Sequence, residues 1–339
     1  MEAKTPVVQF VPVGINACSY YRLQQQMFYA MVDSRAGYTA LHANPNSIVY
    51  VGQDILYLQR VLTKELFEPL IEFKKKTGVK VIVDYDDMMW ATGLPKYNGC
   101  LRPERAEKYR KDMEAYLPEL ADIVTCSTEY LKEALGCFHD DVRVFPNCLA
   151  AKEWSFGIRP LPSSSKFFYA GSPTHYSNEK KLYGDWTIPW VNFVKLAGIK
   201  VMGSQPPWFL EGYGERCPFV YPNGYARALL RNTEDCGFVL ATLEDNAFNR
   251  AKSDLKYLEA SAIGRVALVS EFPGSPYTHA HPLQKVPQNA GIKEIEAIVQ
   301  KAAGNYGEIL KYQYEYLSGR WLDNWIPKYT EMFKELVNG

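Results

Sequence analysis

The chain has 339 residues, is 47% apolar and 22% charged, and carries 38 basic against 38 acidic side chains, so its formal net charge is zero. That length suits two domains of roughly 150 residues with real cores, and the balanced charge gives no global basicity to draw the chain onto nucleic acid or an anionic membrane, while leaving room for a local basic groove. The opening MEAKTPVVQF has no basic segment leading into a long apolar core, and no apolar run reaches the roughly 18 residues of a membrane span, which predicts a cytosolic protein with no membrane insertion.

The seven cysteines never form Cys-x-x-Cys and, with the five histidines, show no ligand spacing. They read as reduced structural thiols without a zinc site. In chain order, Val7–Val13 is strand-like, Gly14 to Cys18 is a turn, and Ser19 is placed to cap a helix carrying Leu23, Met27 and Met31. Ile48–Val51 reads as a short strand, 55–76 as a long helix stopped at Thr77-Gly78, and Val79–Val83 as a buried strand. A helix over 103–117, a strand Ile123–Thr125, a helix capped by Ser127 or Thr128, and a strand Val142–Phe145 complete this half. Residues 159–165, RPLPSSS, read as a linker because Pro and Ser cluster there without apolar periodicity.

The alternation then restarts. Phe167–Tyr169, Ile199–Met202, Phe219–Val220 and Phe238–Leu240 are predicted strands, with helices over 186–197 and around 224–231 between them. Phe248–Ser270 packs a charged entry, one amphipathic helix, a stop at Gly264 and the apolar strand Val266–Val269 into a single stretch. Lys252, Lys256 and Glu259 share one face of that helix, and Leu255, Leu258 and Ala262 the other. A helix spans 292–318, and Trp325, Tyr329 and Phe333 recur at i, i+4, i+8 in the last segment. The pattern predicts an α/β protein of two Rossmann-like, doubly wound parallel sheets, with a ligand cleft at the carboxyl ends of both. Dehydrogenases, periplasmic-type binders and epimerases share that pattern. Neither Gly-x-Gly-x-x-Gly nor a P-loop occurs.

The string Phe-Asn-x-x-Lys-Ser-Asp-Leu-Lys-x-x-Glu at 248–259 resembles the donor-binding segment of GT-B glycosyltransferases of the retaining, GT4-like group. The resemblance covers about 167–270 in sequence and the first half only in architecture. It implies a GT-B fold: an acceptor domain over 1–158, the linker 159–165, a nucleotide-sugar domain over 166–317, and a helix in 318–339 crossing back to the first domain. It implies a hexosyl- or pentosyltransferase using a nucleoside-diphosphate sugar, a UDP-sugar, as co-substrate, with no tightly bound cofactor and no required metal. Glu259 would hydrogen-bond the donor ribose, and Arg250, Lys252 and Lys256 would meet the diphosphate, joined by Asn249 and Ser253 at the helix start. Arg250 and Lys252 would stabilise the departing phosphate. In the same framework Gly14 lets backbone approach the transferred sugar, Arg22 counters the diphosphate, Gly171-Ser172 touches the phosphates with His175 nearby, and Gly203-Ser204 meets the base. One departure is Ala251, which stands where the group has a first glutamate; either Asp245 or Asn249 would replace it.

Asp84-Tyr85-Asp86-Asp87 follows a buried strand, so its crowded carboxylates sit at the cleft edge. One reading is a metal site, since hard cations prefer carboxylate oxygen. The preferred one has Asp86 and Asp87 orienting an acceptor, with Trp90 as a stacking surface. The acceptor is either a glycan or a hydroxymethylated base in viral DNA. Arg102, Arg105, Lys108, Arg110 and Lys111 form a basic cluster that reads as a phosphate track or as a solvated face interleaved with Glu104, Glu107 and Glu114. The alternative to an enzyme is a non-catalytic nucleotide- or sugar-binding module on the same scaffold.

Overall fold

The computed structural model describes residues 4–14, 16–45, 47–92, 102–162, 166–171, 186–203, 214–217 and 224–338. Short apolar runs make the strands, and every pairing between them is parallel, as expected where helices cover both sheet faces. In the first half β1 (Val7–Val11), β2 (Thr39–His42), β3 (Ile55–Gln59), β4 (Lys80–Tyr85), β5 (Ile123–Cys126) and β6 (Val142–Val144) form one sheet in the order β2-β1-β3-β4-β5-β6. In the second half β7 (Lys166–Gly171), β8 (Ile199–Gly203), β9 (Gly214–Cys217), β10 (Cys236–Ala241), β11 (Val266–Glu271) and β12 (Lys285–Pro287) form another in the order β12-β11-β10-β7-β8-β9. The predicted strand Phe219–Val220 lies outside the described residues.

Several expectations need correction. Ile48–Val51 is not a strand, and Ile55–Gln59 is one, buried along its whole length; the helix begins only at Lys64 and runs to Thr77. Asn16, not Ser19, caps the first helix, its side chain accepting from the Ser19 amide at 2.8 Å. That helix passes through a π-helical turn, Tyr20–Gln24, before Gln25–Val32. The stretch 248–262 is two helices, Ala247–Arg250 and Leu255–Ala262, with a break between them. Residues 292–318 likewise divide into Ile292–Gly304 and Tyr306–Ser318.

Each sheet is packed on both faces. On one side of the first, Leu56, Val81, Val83 and Val124 meet Phe67, Met113 and Leu117. On the other, Phe10 and Tyr57 meet the helix Leu322–Asn338, whose Phe333 ring stands edge-on to both at 6.3 and 6.0 Å. Just before that helix, Leu149 and Trp321 form a parallel bridge. The cores of the two halves also meet: Tyr20 and Tyr21 share a cluster with Trp154, Tyr257 and Leu258. Among the described residues, no helix is long and apolar enough to cross a membrane.

Candidate active site at the seam between the halves

The carboxyl ends of parallel strands carry ligands in open α/β sheets, and here both sheets direct those ends toward residues 247–259. From the first sheet come Arg60 after β3, Asp86 and Asp87 after β4, and Thr128 after β5. Arg60 adopts φ +53° without being glycine, a conformation that accumulates where surroundings fix a side chain for a purpose. Its guanidinium donates to Asp86 at 2.5 and 2.8 Å and to Asp87 at 2.7 Å. Burial opposes ionisation of Asp86, yet the Arg60 charge and forked donors hold the carboxyl below its ordinary range. The Cys18 thiol shares this cluster, and burial together with Asp86 pushes it well up, so it stays a protonated thiol. Cys18, Asp86 and Asp87 bring potential metal-ligand atoms within 4.8 Å of one another. With Arg60 and Lys252 together set against the two carboxylates, this donor set offers a hard cation little uncompensated charge.

Lys252 reaches across from the second half, its Nζ 3.7 Å from an Asp87 oxygen and 4.5 Å above the Phe248 ring. Phe248 in turn packs on Ala91 and Met88 of the first half. Lys256 lies over the Tyr169 ring at 4.4 Å, which brings the end of β7 beside the helix Leu255–Ala262. Glu259 is 7% exposed, and both its oxygens accept from tyrosine: Tyr21 at 2.7 Å and Tyr225 at 3.4 Å. Burial pushes its carboxyl up to about 7, opposed by the Tyr21 hydrogen bond and the Lys256 charge. Ser253 Oγ accepts from Asn147 Nδ2 at 2.7 Å, and the Ala251 carbonyl accepts from Thr128 Oγ1 at 3.1 Å.

The remaining expected residues sort by what holds them. Gly14 has open space before it, since an added Cβ would meet only Asn16 at 3.8 Å. Gly171 and Gly203 face one another across β7 and β8, and Gly203 has φ +93°. A Cβ there would stand 2.5 Å from the Gly171 oxygen, so strand packing alone requires glycine. Asn249 is buried and donates to the Glu244 carbonyl at 2.9 Å. Arg250 is held by Asp245 at 2.6 and 2.9 Å. Ser172 and His175 lie outside the described residues, as do Ser204 and the Ser-rich end of the linker.

Two placements differ from the sequence reading, and Ala251 bears on a third. Arg22 is fully enclosed, not cleft-facing: it donates to both Asp84 oxygens at 2.7 to 3.0 Å and to Asn147 Oδ1 at 3.1 Å. Complete burial pushes the Asp84 carboxyl up, and the Arg22 charge pulls it back. Trp90 is 3% exposed and packed edge-on against Tyr85 and Phe138, so it is core and not a stacking surface. Ala251 is enclosed within the first-half apolar cluster, which leaves no room there for an acidic side chain facing a ligand. The basic helix Pro103–Leu120 is a solvated face where Lys108 pairs with Glu65 and Asp112, and Lys111 with Glu107.

Arg60, Tyr225, Asn147 and the Tyr21 hydroxyl were not singled out in the sequence as site groups. Arg60 directly follows the apolar run ILYLQ, so reading that run as a strand would have put it at the sheet's carboxyl edge. No local signal marks the other three, whose partners are distant in sequence.

No protein-family model matches this chain, and no curated protein sequence does. Solved structures do match over nearly its whole length. A structure of HepE from Anabaena with UDP and glucose superposes with TM-score 0.63 at 8% identity, over 97% of this chain and 100% of that one. A glycosyltransferase from Rickettsia africae gives 0.63 at 12% identity, over 98% and 99%. The chain has the GT-B fold. A DNA-modifying β-glucosyltransferase studied with and without uridine diphosphoglucose gives 0.56 at 12% identity, over 98% and 100%.

Proposed function

We propose that the protein is a glycosyltransferase that moves a sugar from a nucleoside diphosphate, read as a UDP-sugar, to an acceptor hydroxyl with retention of anomeric configuration. The observation that carries this reading is the position of Lys252, Ser253, Lys256 and Glu259, which converge on one segment facing the carboxyl edge of the opposite sheet. Glu259 would take the ribose hydroxyls. Lys252 and the backbone opening the helix at Leu255 would meet the diphosphate and stabilise the charge that develops as it leaves. Asp86 and Asp87 are tied to Arg60 and are weak nucleophiles for that reason. A front-side route, in which departing phosphate oxygen takes the acceptor proton, is consistent with that. Asp87, bridging Arg60 and Lys252, is the group we assign to orienting the acceptor.

On this reading residues 1–158 form the acceptor domain, 166–317 the nucleotide-sugar domain and 318–339 the return segment. Arg22 positions the first loop through Asp84 and does not contact donor. Ser172 and His175 retain their proposed phosphate and sugar contacts, as do Gly14, Gly171 and Asn249, Gly203 retains its contact with the base, and Arg250 turns from Asp245 to the diphosphate. Neither a metal nor a further cofactor is part of the proposed mechanism. The acceptor is a glycan or a hydroxymethylated base in DNA. The likeness to a DNA-modifying β-glucosyltransferase keeps the second open.

The test incubates the protein with a panel of nucleotide-sugars, with and without hydroxymethylated DNA or glycans, and measures nucleoside diphosphate release and product anomer. One donor should turn over, and Lys252→Ala should lower that rate by about 100-fold or more, the scale of losing one group that stabilises developing charge. Inversion in the product would refute retention. A protein that binds nucleotide and never turns over would be the non-catalytic module instead.

A further inference from the structure

The contact between Tyr21 and Glu259 joins the two halves at the carboxylate assigned above to the donor ribose, and this inference rests on that assignment. Glu259 is 7% exposed and Tyr21 is 2% exposed, so nothing the size of a nucleoside reaches the carboxylate as the halves now stand. Burial and the adjacent carboxylate push the Tyr21 hydroxyl well above its ordinary range, so it remains a donor at 2.7 Å. A hydroxyl donating to this oxygen is the chemistry a ribose hydroxyl would supply. Aromatic rings hold Tyr21 in place, with Tyr20 edge-on at 5.2 Å and Trp154 tilted at 6.4 Å. The second donor, Tyr225, comes from the same half as Glu259 and does not cross the seam.

We propose that Tyr21 is an internal occupant of the ribose subsite: its hydroxyl stands where a ribose hydroxyl would stand on Glu259, and donor binding displaces it and parts the halves there. Three neighbouring bonds cross the same seam: Lys252 to Asp87, Asn147 to Ser253, and Thr128 to the Ala251 carbonyl. The groups expected to receive the donor are thus engaged by the first half, and Tyr21 closes the series at the buried Glu259 carboxylate. The fraction of molecules with the subsite vacant then sets the apparent affinity for nucleotide. A buried hydrogen bond to this carboxyl group is strong enough to shift that fraction measurably.

The experiment measures binding of UDP, GDP and ADP to wild type, Tyr21→Phe, Tyr225→Phe and Glu259→Ala. Removing the Tyr21 hydroxyl should tighten binding of the preferred nucleotide about tenfold, while Tyr225→Phe should not tighten it and Glu259→Ala should abolish it. Unchanged or weaker binding by Tyr21→Phe, with Glu259→Ala still abolishing it, overturns the proposal and leaves Glu259 as the ribose residue. Wild-type binding retained in Glu259→Ala, or no binding of any nucleotide to any form, defeats the assignment of Glu259 itself. Should Tyr21→Phe fail to fold, amide exchange on wild type decides. Nucleotide should speed exchange across residues 17–24 if Tyr21 is displaced, and slow it if Tyr21 merely braces the site.

Discussion

A carboxylate gathered from three distant parts of the chain is the most informative residue here. Glu259 owes its elevated proton affinity to burial, which outweighs two tyrosine donors and a lysine. The sign of its effect on stability follows directly. The carboxyl is pushed up to about 7 in the fold, against an ordinary value of 4.5. Between those values the folded protein holds a proton that the unfolded chain has released, so stability from this group falls as pH rises through that window. The loss is up to about 3 kcal/mol and levels off above the window. Denaturant midpoints at about pH 5 and about pH 8 should therefore separate in wild type and draw together in Glu259→Gln; a gap unchanged by the substitution would assign it to another group. Lys252 and Glu259 could be found from local spacing because both belong to one short segment. Tyr21 and Arg60 could not, since each meets its partner through the fold. Arg22 shows the reverse: a basic residue expected at the cleft, enclosed in its π-helical turn because Asp84 of β4 rises to meet it.

Among the elements, fully buried strands set off by turns, such as Ile123–Cys126 and Cys236–Ala241, were recovered, and Ile55–Gln59 was not. The run Ile55–Gln59 is enclosed throughout, so it lacks the alternation that marks a half-buried strand. Placed ahead of the amphipathic Lys64–Thr77, it was absorbed into that helix. The break at 251–254 was also illegible, because Ala251 and Asp254 are ordinary in a helix. Tertiary partners fix it: Ala251 enters the first-half core, and Asp254 is gripped by Arg320 at 2.9 and 3.0 Å and by Tyr316 at 2.7 Å. The facing ends of β7 and β8 allow a sharp prediction. Gly203→Ala combines a left-handed backbone position with a Cβ directed at the Gly171 carbonyl, and should cost about 1–3 kcal/mol in unfolding free energy. A loss under about 0.5 kcal/mol in a denaturant titration would mean that the two strand ends are not held together so closely.

For the whole molecule, the two halves are joined by more than the chain between them. Arg320, just ahead of the last helix, donates to the Asn147 carbonyl at 3.1 and 2.6 Å while holding Asp254 of the second half. The helix Leu322–Asn338 then buries Leu322, Ile326, Tyr329, Met332 and Phe333, mostly against the first sheet. At roughly 1.5–3 kcal/mol for each large apolar side chain, that face contributes on the order of the whole stability of a domain. Deleting 322–338 should therefore leave the first half without a cooperative melting transition and able to bind a hydrophobic dye, while the second half keeps its own; one unaltered transition would show the helix to be dispensable. The two-sheet architecture was legible because strands alternate with helices along most of the chain. The seam was not, because it consists wholly of contacts between residues far apart in sequence. The returning helix also bears on synthesis. The last strand of the first sheet ends at Val144, but Phe333 is needed to cover Phe10 and Tyr57. At about 5–20 residues per second, a ribosome takes roughly ten to forty seconds to make what lies between. Throughout that interval the nascent amino-terminal half displays a greasy, aromatic sheet face, which should draw chaperones until the final helix emerges.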